Sequence, residues 1–243
     1  MPLVEHLSEL RRRIFISLIA VTIGAIVGFI LTPDVIRILK TQGGITQALV
    51  FTSPGGALFL QLKIALMIGL ALSAPIVLYE LWSFVSPGLT PGERRQIRPW
   101  VPLSILFLAL GVAVAFVTLP LAMGFLLGFS IPGLINPLIT SDAYFGFVTT
   151  LFLAFGLVMQ FPLVIVLLSK IGIVSVEQLR HNRRYVFLGI VIFAVIITPG
   201  GDPFSPTIMT LVMYPLYELT IRLVARTSTP APSAARAEQA PAE

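Results

Sequence analysis

Residues 11–31 read RRRIFISLIAVTIGAIVGFIL, which is three arginines followed by eighteen residues without a charge. An α-helix of that apolar length rises about 27 Å, close to the roughly 30 Å of hydrocarbon in a bilayer. Arginines beside an apolar run mark the cytoplasmic end of a membrane span. The stretch therefore predicts a transmembrane helix over residues 14–31 that begins at the cytoplasmic face.

Five more apolar runs follow, and together they predict an all-α, polytopic membrane protein. Their bounds are about 62–84, 100–119, 144–169, 185–198 and 204–217. The last two hold only roughly 21 Å of helix each, so they either cross a thinned bilayer or form a hairpin that does not fully cross it. We interpret residues 1–226 as one membrane domain and residues 227–243 as a disordered cytoplasmic tail.

Shorter signals predict how the runs are joined. Leu3, Leu7, Leu10 and Ile14 recur at helical spacing, which predicts an amphipathic helix over residues 3–13. Thr32-Pro33 is typical of a helix start and predicts a separate interfacial helix after the first span. Ser175-Val176-Glu177-Gln178 fits a capping box in the loop before the fifth run.

The composition excludes most other classes of protein. Hydrophobic residues make up 56% of the chain and charged residues 11%, too few charges for a water-exposed surface. The net charge of +5 comes from basic residues that flank apolar runs, so it indicates membrane topology and not nucleic-acid binding. Cysteine is absent, and no pattern of a catalytic group, cofactor or metal site occurs. We therefore predict no enzyme.

The distribution of basic residues predicts the orientation. Thirteen of the 16 Lys and Arg residues lie in the N-terminal segment, the second and fourth connections, and the C-terminal segment. The other segments hold Arg37, Lys40 and Lys63. By the positive-inside rule both termini lie in the cytoplasm, which for a bacterial chain means a multi-pass protein of the inner membrane.

Two acidic residues lie among the basic ones at the predicted cytoplasmic face. Glu9 is an i,i+4 partner of Arg13, which by itself explains its presence. Glu93 closes Thr90-Pro91-Gly92-Glu93, a capping box with proline at the first helical position. A carboxylate has two oxygens, so a structural bond and a ligand bond are compatible at either residue.

Three further residues have a structural and a functional interpretation each. Gln160 lies within an apolar run, where a polar group needs a partner, either a neighbouring helix of this chain or a helix of a partner protein. Asp202 lies in the outer turn Pro199-Gly200-Gly201-Asp202-Pro203, which turn chemistry explains. Phe84 ends the second run, where aromatic anchoring at the interface is usual.

Several motifs resemble the TatC family, the core subunits of the twin-arginine protein translocase. They cover residues 5 to 222 in order and spacing: His6-Leu7-Ser8-Glu9-Leu10-Arg11-Arg12-Arg13, Ser73-Ala74-Pro75, Trp82-Ser83-Phe84-Val85-Ser86-Pro87-Gly88-Leu89, Glu93-Arg94-Arg95, Ala154-Phe155-Gly156, Phe161-Pro162 and Thr198-Pro199 through Asp202. Two departures are Gln160, where many relatives carry glutamate, and the first outer loop around 40–44, which lacks a proline that is frequent there.

The resemblance implies a cup of six helices with short fifth and sixth helices. It implies binding of signal peptides that carry two adjacent arginines, with Glu9, Phe84 and Glu93 as matching positions and Arg11 and Arg94 nearby. It also implies TatA-type and TatB-type partners, several copies in a receptor complex, and export of folded proteins driven by the proton-motive force. A small-solute secondary transporter is the alternative, although Gln160, Thr22 and Ser73, the polar residues at mid-span, do not titrate near neutral pH.

Overall fold

The computed structural model describes residues 3–88, 90–131, 138–170 and 173–227. Nine α-helices occur in these ranges: α1 (Leu3–Gln42), α2 (Gly56–Val85), α3 (Pro91–Ile97), α4 (Trp100–Leu127), α5 (Ser141–Val158), α6 (Phe161–Lys170), α7 (Val176–His181), α8 (Arg183–Ile197) and α9 (Phe204–Thr227). The predicted tail, except Thr227 at the end of α9, lies outside the described residues, and so do residues 132–137 between α4 and α5.

The all-α class is confirmed. Five segments of the described chain are long and apolar enough to cross a membrane, namely Glu5–Gln42, Gly56–Val85, Trp100–Leu127, Ser141–Ser169 and Phe204–Ala225. The fifth predicted run forms α8, whose 15 residues give roughly 22 Å of helix. Helix α9 continues to Thr227, beyond the apolar run 204–217, because a glutamate such as Glu218 ends an apolar run but not a helix, and Glu218 pairs with Arg183 at 3.1 Å.

The predicted break at Thr32-Pro33 is wrong. Helix α1 runs without interruption for 40 residues, with Pro33 inside it. A proline within a helix removes one backbone hydrogen bond, and packing against a neighbouring helix compensates for that loss. Helix α1 packs along α2, and the Thr32 hydroxyl donates to the Gly28 carbonyl at 2.8 Å. Tertiary packing therefore outweighs the local helix-start signal.

Glycines bring α1 and α2 unusually close together. A Cβ atom built on Gly24 would lie 2.7 Å from the carbonyl oxygen of Gly69, and one built on Gly69 would lie 2.5 Å from the backbone nitrogen of Ala25. Gly24 and Gly28 are four residues apart, the spacing that lets helix backbones approach in a membrane. This contact fixes how the side chains of α1 face those of α2.

Helix α5 is the central helix of the fold. Its Phe145, Leu151 and Phe155 are fully buried, and the core extends to α2, α4 and α9. Thr140 caps its N-terminus by accepting a hydrogen bond from the Ala143 backbone at 3.2 Å. The predicted capping box of Ser175 and Gln178 is present at the start of α7. Helix α3 begins at Pro91, as the Thr90-Pro91 signal predicts.

Candidate functional site

Charged side chains from α1 and α2 meet where α1 begins and α2 ends. The Arg13 guanidinium lies between two carboxylates: its Nη2 is 2.9 Å from Glu9 Oε1, and its Nη1 is 2.8 Å from Glu80 Oε2. Arg13 Nε also donates to Glu9 Oε1 at 3.3 Å. We call Glu9, Arg13 and Glu80 the acidic cluster, because two carboxylates and one guanidinium carry a net charge of −1.

The two carboxylates of the acidic cluster differ in their environment. The side chain of Glu80 is only 10% exposed, whereas that of Glu9 is 22% exposed. A nearly buried carboxylate without a cation beside it costs several kcal/mol, so Arg13 compensates Glu80 most directly. Glu9 and Arg13 remain open to solvent, and a ligand can therefore reach them.

An aromatic pair lies beside the acidic cluster. The rings of His6 and Phe84 are stacked, with centroids 4.4 Å apart and planes inclined by 17°. His6, Glu9 and Arg13 are three and four residues apart on α1, and Glu80 and Phe84 are four apart on α2, so each set lies on one helix face. The helix period and the α1–α2 contact together assemble one surface from residues that are distant in sequence.

The structure describes the other predicted signal-peptide residues only in part. Arg11 is exposed on α1. Glu93 belongs to α3, but its side chain lies outside the described part of the structure, and so does its distance to Glu9. The prediction that Glu9 and Glu93 form one site therefore stays a prediction.

Arg94 lines a basic cleft that the structure separates from the acidic cluster. The cleft has a volume of about 750 Å³, and its described lining includes Trp82, Arg94, Arg95 and Arg98. Trp82 lies two residues from both Glu80 and Phe84, which turns it about 160° away from them on α2. Arg94 of α3 and Glu9 of α1 therefore lie beside different faces of α2.

Gln160 lies at the junction of α5, which ends at Val158, and α6, which begins at Phe161. Its Nε2 donates to the Ser104 carbonyl of α4 at 3.1 Å, while its Oε1 is buried without a hydrogen-bond partner among the described residues. The residue also lines an apolar cavity of about 440 Å³ between α1, α2, α4 and α5. The amide nitrogen of Gln160 therefore bonds to a neighbouring helix of this chain, and its oxygen keeps an unused acceptor.

Asp202 has a structural role in the outer turn. Its Oδ1 accepts from the Ser205 backbone at 2.7 Å and its Oδ2 accepts from the Ser205 hydroxyl at 2.8 Å, at the start of α9. Gly200 and Gly201, with φ of +92° and +69°, form the preceding turn in a backbone conformation that favours glycine. Asp202 therefore caps the start of α9 directly after the glycine turn.

Sequence analysis missed two members of the site, Glu80 and His6. Glu80 was visible as an isolated acid near the end of an apolar run, four residues before Phe84. A charge at that depth predicts a partner on a neighbouring helix. Its partner is Arg13, 67 residues away, which no local pattern identifies.

Comparison with known proteins gives a consistent result. A family model described as Sec-independent protein translocase protein (TatC) matches residues 5–212. The Sec-independent protein translocase protein TatC of Carboxydothermus hydrogenoformans is 38% identical over 223 residues, 91% of each chain. The protein of that name from Escherichia coli K12 is 36% identical over 230 residues, 90% of this chain and 86% of its own.

Solved structures agree. A crystal structure of the twin arginine translocase receptor TatC in DDM superposes with a TM-score of 0.75 at 36% identity, and the match covers 90% of this chain and 98% of the other. A second crystal structure of this receptor gives a TM-score of 0.74 at 35% identity, covering 92% of this chain and 100% of the other.

Proposed function

This chain belongs to the TatC family of Sec-independent protein translocase proteins, and we propose that it is the subunit that binds twin-arginine signal peptides. Family membership makes it a component of a protein translocase and not an enzyme, and it removes the support for a small-solute transporter. The observation that carries the proposal is the acidic cluster beside Phe84, which joins a net negative charge to an apolar surface.

Glu9 is the residue through which a signal arginine binds first. A carboxylate and a guanidinium form a planar, two-point hydrogen bond, and a charge-assisted bond contributes about 1.5–3 kcal/mol. Lysine has no planar fork, so its replacement of arginine weakens the contact. Glu93, at the start of the second connection's helix α3, accepts the second arginine.

Selectivity comes from the surrounding cations and from Phe84. Arg11 is exposed two residues after Glu9, and it repels cationic segments that cannot form the two-point contact. Phe84 is half-buried and stacked on His6, so it presents a fixed apolar surface to the hydrophobic part of a signal peptide. Arg94, in the basic cleft on the other side of α2, adds to the positive charge around the site.

The rest of the proposal concerns orientation and partners. The chain lies in the cytoplasmic membrane with both termini in the cytoplasm, and α8 crosses as a sixth, short span of a cup-shaped bundle. TatA-type and TatB-type single-span subunits and further copies of this chain assemble with it, and the proton-motive force drives export of folded cargo. Gln160 offers its unused Oε1 to a polar group of a partner helix.

The test measures binding of a labelled twin-arginine signal peptide to the purified full-length chain in lipid nanodiscs. We expect Glu9→Gln to weaken binding by roughly 10-fold or more, because one charge-assisted contact is lost. The matched control is Glu5→Gln, which makes the same change one turn earlier at an exposed position. Undiminished binding by the double variant Glu9→Gln, Glu93→Gln refutes the proposal.

A further inference from the structure

The guanidinium of Arg13 already occupies the place that a ligand arginine needs. It contacts Glu9 through two nitrogens and Glu80 through a third, with distances of 2.8–3.3 Å. The two nitrogens share the single oxygen Oε1 of Glu9, and all three contacts are charge-assisted bonds of the kind that a carboxylate forms with the arginine of a ligand. An intrachain group with the chemistry of the ligand is therefore bound at the candidate site.

The contact of Arg13 with Glu9 and Glu80 is not needed to hold α1 and α2 together. The glycine packing of α1 on α2 and the stack of His6 on Phe84 already join them on either side of the acidic cluster. The side chain of Arg13 is 27% exposed, so its bonds compete with water and can be exchanged. The nearly buried Glu80 needs a cation beside it, but any guanidinium that enters there meets that need.

We propose that Arg13 is an internal competitor for the arginine that binds Glu9 and that Glu80 is a further carboxylate of this position, so that a ligand arginine bridges Glu9 and Glu80 only by displacing Arg13. The inference rests on the proposed function. Because Arg13 is tethered, its effective concentration at Glu9 is in the millimolar range or above, and it lowers the affinity of every cationic ligand by the same factor. A peptide segment whose single cation makes only a weak contact then no longer binds measurably, while a segment with two adjacent arginines still binds.

The experiment compares variants of the full-length chain in nanodiscs, with a labelled twin-arginine signal peptide as the probe. Arg13→Gln removes the competitor, and we expect the peptide to bind about 10-fold more tightly, the size of one charge-assisted contact. Arg12→Gln is the matched control, since it removes the same charge at the neighbouring, exposed position. We expect Arg12→Gln to change the dissociation constant by less than about 3-fold, the effect of an exposed charge.

The double variant Arg13→Gln, Glu80→Gln keeps the test decisive if Arg13→Gln fails to fold. It leaves no buried carboxylate without a cation, and it still frees Glu9. We expect it to bind more tightly than Glu80→Gln, because Arg13 no longer competes for Glu9, but less tightly than Arg13→Gln, because Glu80 no longer contributes. Binding by the double variant that is no tighter than that of Glu80→Gln overturns the role of Arg13, and equal binding by the double variant and Arg13→Gln overturns the role of Glu80.

Failure of this inference is distinct from failure of the proposed function. If Glu9→Gln weakens binding but Arg13→Gln binds no more tightly than Arg12→Gln, the site recognises arginine and Arg13 is a structural bridge. If Glu9→Gln binds like the wild type, the proposed function itself is wrong. A version of the peptide with two lysines supplies a second readout, since its weak binding becomes measurable only when Arg13 is removed.

Discussion

Replacing Gly69 by alanine tests whether the close approach of α1 and α2 stabilises the protein. A Cβ atom there would lie 2.5 Å from the backbone nitrogen of Ala25 and 2.7 Å from its Cα, whereas ordinary contacts begin at 3.4 Å. Backbone atoms of a packed helix do not move singly, so α1 as a whole must shift by a little under 1 Å. Gly69→Ala is therefore expected to separate the two helices.

The size of the effect follows from two opposing terms. Overpacking of this kind costs about 1–3 kcal/mol, and a gap of 0.5–1 Å elsewhere along the interface loses roughly a quarter to a half of each contact's dispersion energy. The better helix propensity of alanine returns up to about 1 kcal/mol. We expect a net loss of about 1–2 kcal/mol, which for a chain of this size lowers the melting temperature by roughly 2–8 °C.

The assay is thermal unfolding of the purified chain in detergent, with Gly124→Ala as the matched control. Gly124 also lies inside a long apolar helix, but an added Cβ meets no atom of the described chain within 4 Å. We expect Gly124→Ala to melt at or slightly above the wild-type temperature. If Gly69→Ala melts as high as Gly124→Ala, the α1–α2 contact is not tight and the reasoning is refuted.

Three other predictions concern single polar groups. Tyr144→Phe removes the 2.6 Å bond to the Leu39 carbonyl and should cost about 0.5–1.5 kcal/mol in thermal unfolding, since that carbonyl keeps a backbone partner. Asp202→Ala should cost about 1–2 kcal/mol in the same assay, whereas Asp202→Asn should retain most of the cap of α9. Gln160→Leu should reduce co-purification of a TatA-type partner while signal-peptide affinity stays unchanged; equal co-purification contradicts its partner role.

The candidate site shows where prediction from sequence succeeds and where it stops. The sequence predicted Glu9, Phe84 and the pair of Glu9 with Arg13, because a residue type at a span end and an i,i+4 spacing are local features. The bond of Arg13 to Glu80 joins residues 67 positions apart, and it depends on how two helices are rotated against each other. No periodicity within either helix fixes that rotation.

The helix boundaries give the same lesson. The Thr32-Pro33 signal is a real local preference, yet α1 continues through it because packing on α2 compensates for the lost hydrogen bond. The Ser175 capping box, by contrast, is present as predicted, since its bonds lie within four consecutive residues. Hydrogen bonds within a few consecutive residues can be predicted from the local sequence. Tertiary packing changes a predicted helix boundary only where contacts with a neighbouring helix stabilise more than the local bonds do.

The sequence by itself determined that this is an all-α membrane protein of the TatC family, because hydropathy, flanking basic residues and the order of motifs are properties of the linear sequence. Only the tertiary structure decided that Glu80 and Arg13 complete the site of Glu9, and that Gly24 and Gly69 set the distance between their helices. The physical reason is that lipid favours any apolar helix, whereas the pairing of particular helix faces depends on the contact of small residues and buried charges between distant segments.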